Sequence, residues 1–133
     1  MSKTAWKTAE KEFEESLDAL GKRAYYHRLT DSADIKGLTG RVSNAASQPS
    51  DYIVVHDGLT YFAEVKSTHD ETAFRASLLR PSQSAAAKQI IASGGQYIIW
   101  CKHVPTGRWY KIPHGQLDGR KSIKWTELTP CIQ

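Results

Sequence analysis

Apolar residues recur every three or four positions near the start of the chain: Trp6, Ala9, Phe13, Leu17, Leu20 and Ala24. That spacing predicts an amphipathic helix over 4–24, with Lys7, Lys11, Glu12 and Glu15 on the opposite face. Gly21 near its end marks where the helix stops. Tyr25–Leu29 reads as a short strand. The pattern then fades. Residues 30–50 are rich in Ser, Thr, Gly, Asn and Ala and predict a long loop, with the cations Lys36 and Arg41 offset by Asp31 and Asp34. A loop of this length inside a compact domain is uncommon and usually functional or mobile.

Two β-rich runs, 52–55 and 59–65, flank Asp57-Gly58. An Asp-Gly pair between such runs predicts a two-residue hairpin, because a type I′ turn needs positive φ at both central positions. Pro81 opens a second helix over 82–92, since its missing N–H falls where a helix has no internal partner. Gly94-Gly95 closes that helix. Residues 96–101 read as a buried strand, Pro105-Thr106-Gly107 as a turn, and 108–112 as the returning strand. The pattern from 113 to 133 is weaker, with Ile123, Trp125 and Leu128 expected to pack. There is no internal repeat. The order of elements predicts one α/β domain, a central mixed sheet flanked by the first helix and the helix at 82–93.

Composition narrows the class. The 133 residues suit one domain, and 40% hydrophobic with 24% charged is an ordinary globular balance. Eighteen Lys and Arg against fourteen Asp and Glu leave +4, with a sequence pI near 9.1, which permits nucleic acid as a partner without demanding it. No run is long and apolar enough for a bilayer span, and Met1–Glu10 lacks the apolar core of a secretory signal. Cys101 and Cys131 make neither a disulfide framework nor a zinc spacing. A small cytosolic domain is the expectation.

The hairpin carries the chemistry. With Asp57 and Gly58 as the turn, His56 faces Leu59 and Asp51 faces Glu64. Opposed residues share a face with Cβ atoms about 4.5–5.5 Å apart. Lys66, two residues beyond Glu64, lies on that face too. Two facing carboxylates repel unless something positive sits between them. Lys66 is one candidate. A divalent cation is the other: Mg²⁺ prefers hard oxygen ligands and often takes only one or two carboxylates. Such an ion lowers the pKa of a bound water and stabilises charge on a phosphodiester. The alternative is an exposed hairpin face with an ordinary Lys–carboxylate pair.

Pro49-Ser50-Asp51 followed by Glu64-Val65-Lys66 resembles the PD-(D/E)XK nuclease signature. The wider set is similar to the RecU-type Holliday junction resolvases over residues 9–115: Pro-Ser-Asp-Tyr at 49–52, Phe-Ala-Glu-Val-Lys-Ser-Thr at 62–68, Phe74, Pro81-Ser82-Gln83 and Gly94-Gly95. The resemblance implies a restriction-endonuclease-like core. It implies that Asp51 and Glu64 bind metal and that Lys66 is catalytic. It further implies that Glu14, after Phe13, is the carboxylate brought by the first helix, with Glu10 one turn earlier as the other choice, and that Gln83 is a site glutamine. Mg²⁺ is the implied cofactor, with Mn²⁺ as a substitute. Four-way DNA junctions are the implied substrate, cut by in-line attack of water to leave a 5′-phosphate and a 3′-hydroxyl. A homodimer and a phage-encoded member in a host cytoplasm also follow. Segment 30–50 occupies the place of the family's stalk, here short and poor in cations.

Phosphate contacts are expected from Lys3, Lys7, Arg28, Lys36, Arg41, Arg75, Arg80 and Lys88, with Arg75 and Arg80 flanking the site segment. The five histidines, at 27, 56, 69, 103 and 114, show no close ligand spacing and read as structural or surface residues. Trp6, Trp100, Trp109 and Cys101 read as core. Two rival functions remain at this stage: a same-fold nuclease on a flap, another branch or a specific duplex, and a non-catalytic DNA-binding protein.

Overall fold

The computed structural model describes residues 5–29 and 48–131. Helix α1 spans Ala5–Asp18 and buries the stripe Ala9, Phe13 and Leu17. The expected helix to residue 24 ends early. Gly21 takes φ +60°, a left-handed conformation that costs glycine little, and opens a single 3₁₀ turn, Gly21–Arg23. Leu20 and Ala24 still pack against the same core, from the turn and from the next strand. The Trp6 side chain lies outside the described residues.

Strands β1 (Ala24–Arg28), β2 (Tyr52–His56) and β3 (Leu59–Thr68) run antiparallel in succession. The turn between β2 and β3 has the expected form, with Asp57 at φ 58° and Gly58 at φ 78°. Its register is also as expected: His56 faces Leu59, and the ladder runs to Tyr52 opposite Ala63. Strand β4 (Ala73–Arg75) and helix α2 (Pro81–Ala92) then carry the chain across the sheet. Strand β5 (Tyr97–His103) returns parallel to β3, and β6 (Arg108–Pro113) folds back antiparallel. Two short strands complete the chain. β7 (Ser122–Lys124) pairs with β4 in a separate two-stranded sheet, and β8 (Pro130–Cys131) extends the main sheet to the order β1-β2-β3-β5-β6-β8.

Each face of this mixed sheet has its own core. Phe13 of α1 packs on Tyr52 and, edge-on, on Trp100, in a cluster with Val54, Tyr61, Ala63, Val65 and Trp109. Ala87 of α2 joins Tyr97, Ile99, Cys101, Tyr110, Ile112, Ile123 and Trp125 in the other. Burying a large apolar side chain contributes about 1.5–3 kcal/mol. Leu128 packs against the second core, so the three apolar residues expected to pack in the tail do so. The long segment expected at 30–50 lies outside the described residues apart from 48–50. No helix among the described residues is long and apolar enough to cross a membrane.

Candidate active site

Alternation along β3 decides which groups meet. Ala63 and Val65 point into the α1-side core, so Glu64 and Lys66 point to the α2 side. Asp51 stands one residue before the ladder begins. Its backbone N–H donates to Glu64 Oε1 at 3.1 Å, and its own Oδ2 accepts the Val65 N–H at 2.9 Å. Lys66 Nζ lies 3.3 Å from Glu64 Oε2. Gln83, buried in the first turn of α2, donates its side-chain amide to Glu64 Oε2 at 2.6 Å. The Gln83 side-chain oxygen accepts the Arg80 N–H at 2.9 Å, so the start of α2 orients the glutamine and the glutamine orients Glu64. The structure thus brings Asp51, Glu64, Lys66 and Gln83 together.

Helix α1, on the other face of the sheet, carries the two candidate carboxylates Glu10 and Glu14. Glu10 is buried and accepts from the Arg28 guanidinium at 2.6 Å. Burial raises its pKa, and the Asp51 charge raises it further, against Arg28, which lowers it. Glu14 instead accepts a hydrogen bond from the Tyr52 hydroxyl. Of the two helix carboxylates, Glu10 therefore answers to Asp51, and Glu14 is tied to a core tyrosine.

The electrostatics are those of a site short of positive charge. Glu64 is pushed up to about 7, by burial first and then by Asp51, despite Lys66 and Gln83. Asp51 is also raised, by burial, against the Val65 N–H, Lys66 and Arg28. Among the described residues, no three His, Cys, Asp or Glu side chains form a complete metal-holding group. An ion here would rely on few protein oxygens and on oxygens from elsewhere, as Mg²⁺ commonly does.

Arg80 is exposed at the mouth of α2, and Lys88 is exposed further along it. Arg75 is committed to Asp70 at 2.6 Å. Lys3, Lys36, Arg41 and the Lys7 side chain lie outside the described residues. Tyr97 has no role in the sequence reading. Its hydroxyl donates to the Pro49 carbonyl at 2.6 Å and so pins the turn that delivers Asp51. Only the buried, β-rich run around Tyr97 hinted at it. Cys101 is fully buried, as expected, and His103 and His114 are buried structural residues.

A mixed six-stranded sheet with a helix on each face, and a carboxylate pair with a lysine at its centre, defines a restriction-endonuclease-like α/β fold. The solved structure of Hjc, a Holliday junction resolvase from the archaeal hyperthermophile Archaeoglobus fulgidus, is similar to this chain. The TM-score is 0.56 at 15% identity, over 89% of this chain and 85% of that one. No family model and no curated protein matches the sequence.

Proposed function

We propose that this chain is a divalent-metal-dependent DNA endonuclease that resolves four-way junctions as a homodimer, in the manner of the RecU-type enzymes its motifs resemble. The observation that carries the reading is the meeting of Asp51, Glu64 and Lys66 beside a buried Gln83, on a fold similar to that of a junction resolvase. The donors suit the implied ion. All are hard oxygens, and burial with mutual repulsion leaves them deficient in positive charge. Asp51 and Glu64 would hold Mg²⁺ or Mn²⁺, with Glu10 favoured over Glu14 as the helix carboxylate. Bound there, the ion supplies a water of lowered pKa and neutralises charge on the phosphodiester.

The chain's own groups do the rest. Lys66 orients the attacking water and offsets charge as it builds on the phosphoryl oxygens. Gln83 fixes the Glu64 carboxylate. Arg28, beside Glu10 and half-exposed, and Arg80 hold backbone phosphates on either side of the cut. In-line attack leaves a 5′-phosphate and a 3′-hydroxyl. A junction offers two equivalent strands, which a two-fold dimer with two sites matches.

The test is cleavage of a labelled four-way junction beside a linear duplex of the same sequence, with Mg²⁺ and with EDTA. Paired, Mg²⁺-dependent nicks in the junction alone are expected. Equal cutting of both substrates would remove the junction and leave the nuclease. Binding without cutting would favour a non-catalytic DNA-binding protein.

A further inference from the structure

Helix α2 turns an exposed face away from the buried Gln83 and Ala87. A groove of about 620 Å³ lies between α2 and the segment 114–121 that follows β6. Its size falls within the usual range of ligand sites, about 300–1,000 Å³. Ile91, Ala92 and Leu117 give it an apolar floor, and Ile91 is exposed there. Lys88, Arg120 and Lys121 stand along its walls against one acid, Asp118. Arg120 is engaged by Glu127 at 2.8 Å, but Lys88 and Lys121 make no ion pair among the described residues.

Ser84, Lys88 and Ile91 of its lining share one face of α2 with Arg80, at spacings of three and four residues, and Arg80 opens the helix that carries Gln83. From Ser84 to Ala92 the helix rises about 12 Å, at about 1.5 Å per residue. At the axial rise of a base-stacked strand, about 3.4 Å per nucleotide, that length spans three to four nucleotides. Free ammonium groups above apolar surface complement a chain of phosphates that carries flat bases.

We infer that this groove binds a single strand of nucleic acid, three to four nucleotides long, running along α2 from the Arg80 end. The choice of occupant rests on the nuclease reading; an acidic peptide is the competing one. The strand's phosphates meet Lys88 and Lys121, and its bases lie against Ile91 and Leu117.

The test uses the full chain, ¹⁵N-labelled and metal-free, titrated with 5′-phosphorylated tetrathymidylate. Amide shifts are expected over 84–92 and 114–121 and are expected to vanish in the K88A/K121A variant. Both lysines are exposed, so that variant should fold. In either single variant, K88A or K121A, the slope of log affinity against log salt should fall by about 0.7, the value for one lost contact on a single strand. Shifts confined to Asp51–Lys66, or none at millimolar oligonucleotide, would overturn the inference. Equal shifts with inorganic phosphate or tetraglutamate would also overturn it, reducing the groove to an anion patch. Junction cleavage by the same preparation, after Mg²⁺ is added, separates the two readings. Cutting without groove shifts removes the groove alone, and groove shifts without cutting remove the nuclease alone.

Discussion

Glu64 and Asp70 lie six residues apart, one inside β3 and one just past its end, and each accepts three hydrogen bonds or ion-pair contacts. Their electrostatic outcomes are opposite. Asp70 takes Arg75 Nε at 2.6 Å and the N–H groups of Thr72 and Ala73 at 2.9 and 3.0 Å. Arg75 and those two donors hold it down to about 2. Its backbone carbonyl also accepts from the Trp125 indole at 2.7 Å, which fastens the tail to the loop between β3 and β4. Glu64 has as many partners yet is pushed up to about 7. The difference is not the number of donors. The Asp70 side chain is 25% exposed, whereas that of Glu64 is 2% exposed and faces a second carboxylate. A carboxylate that water and donors satisfy holds the fold together. One that is buried against its own kind has charge left for a cation.

The widest gap between the two regions should appear in catalysis. Lys66→Ala is expected to lower junction cleavage by about 10²–10⁴-fold, the range for losing a positioned proton-handling group. Junction binding, spread over many phosphate contacts, should persist. Asp70→Asn should lower the melting temperature yet leave the cleavage rate of the folded protein within several-fold. Cleavage by Lys66→Ala at the wild-type rate would remove the assigned mechanism.

Stability against pH should separate them next. Glu64 is raised in the folded chain from 4.5 to about 7, so the stability linked to it is full below pH 4.5 and is lost as pH rises through about 7. The loss is on the order of 3 kcal/mol in the metal-free chain. Asp51 and Glu10 are raised as well and act in the same direction. Asp70 is lowered from 3.8 to about 2, so its contribution is present above pH 3.8 and fades as pH falls through about 2. Urea denaturation at pH 5 and pH 8, with and without Mg²⁺, reads the difference. The ion should stabilise strongly at pH 8 and little at pH 5. Equal stabilisation at both would show that Mg²⁺ does not answer the Glu64 charge.

The smaller step is to remove that charge. Glu64→Gln should abolish cleavage but stabilise the metal-free chain at pH 8, by on the order of 1–2 kcal/mol, because the repulsion with Asp51 goes. It should also flatten the pH dependence relative to wild type. His114, lowered by its own burial, titrates in the opposite sense, but it is common to both proteins and cancels in the comparison. A destabilised Glu64→Gln at pH 8 would mean that Lys66 already compensates the pair.

How much of this was legible follows from what sets each register. The Asp57-Gly58 turn fixes β2 against β3 within two residues, so Asp51, Glu64 and Lys66 could be placed from spacing alone. No short turn links β1 to β2. Arg28 stands opposite Tyr52 and reaches Glu10 through a ladder that only the folded sheet supplies. The choice between Glu10 and Glu14 was closed to the sequence for a related reason. They lie one turn apart on one helix face, and the seating of Ala9 and Phe13 on the sheet decides which one feels the Asp51 charge. The pairing of β4 with β7 joins two three-residue strands far apart in the chain, too short to show any period.

The finest comparison sets two buried tyrosines against each other. Tyr97 donates its hydroxyl to the Pro49 carbonyl at 2.6 Å on the α2 side, and Tyr61 accepts from the Trp100 indole at 3.2 Å on the α1 side. Tyr97→Phe and Tyr61→Phe each remove one buried hydrogen bond, so each should cost about 1 kcal/mol of stability. Only Tyr97 is attached to the turn from which Asp51 emerges. Burial and the charges of Glu64 and Asp51 also raise its pKa, which places the ring beside the carboxylate pair. Tyr97→Phe should therefore raise the Mg²⁺ concentration for half-maximal cleavage several-fold while the rate at saturating Mg²⁺ stays close to wild type. Tyr61→Phe should leave the Mg²⁺ curve where it is. If both variants move that curve equally, Tyr97 acts through global stability and has no positioning role for Asp51.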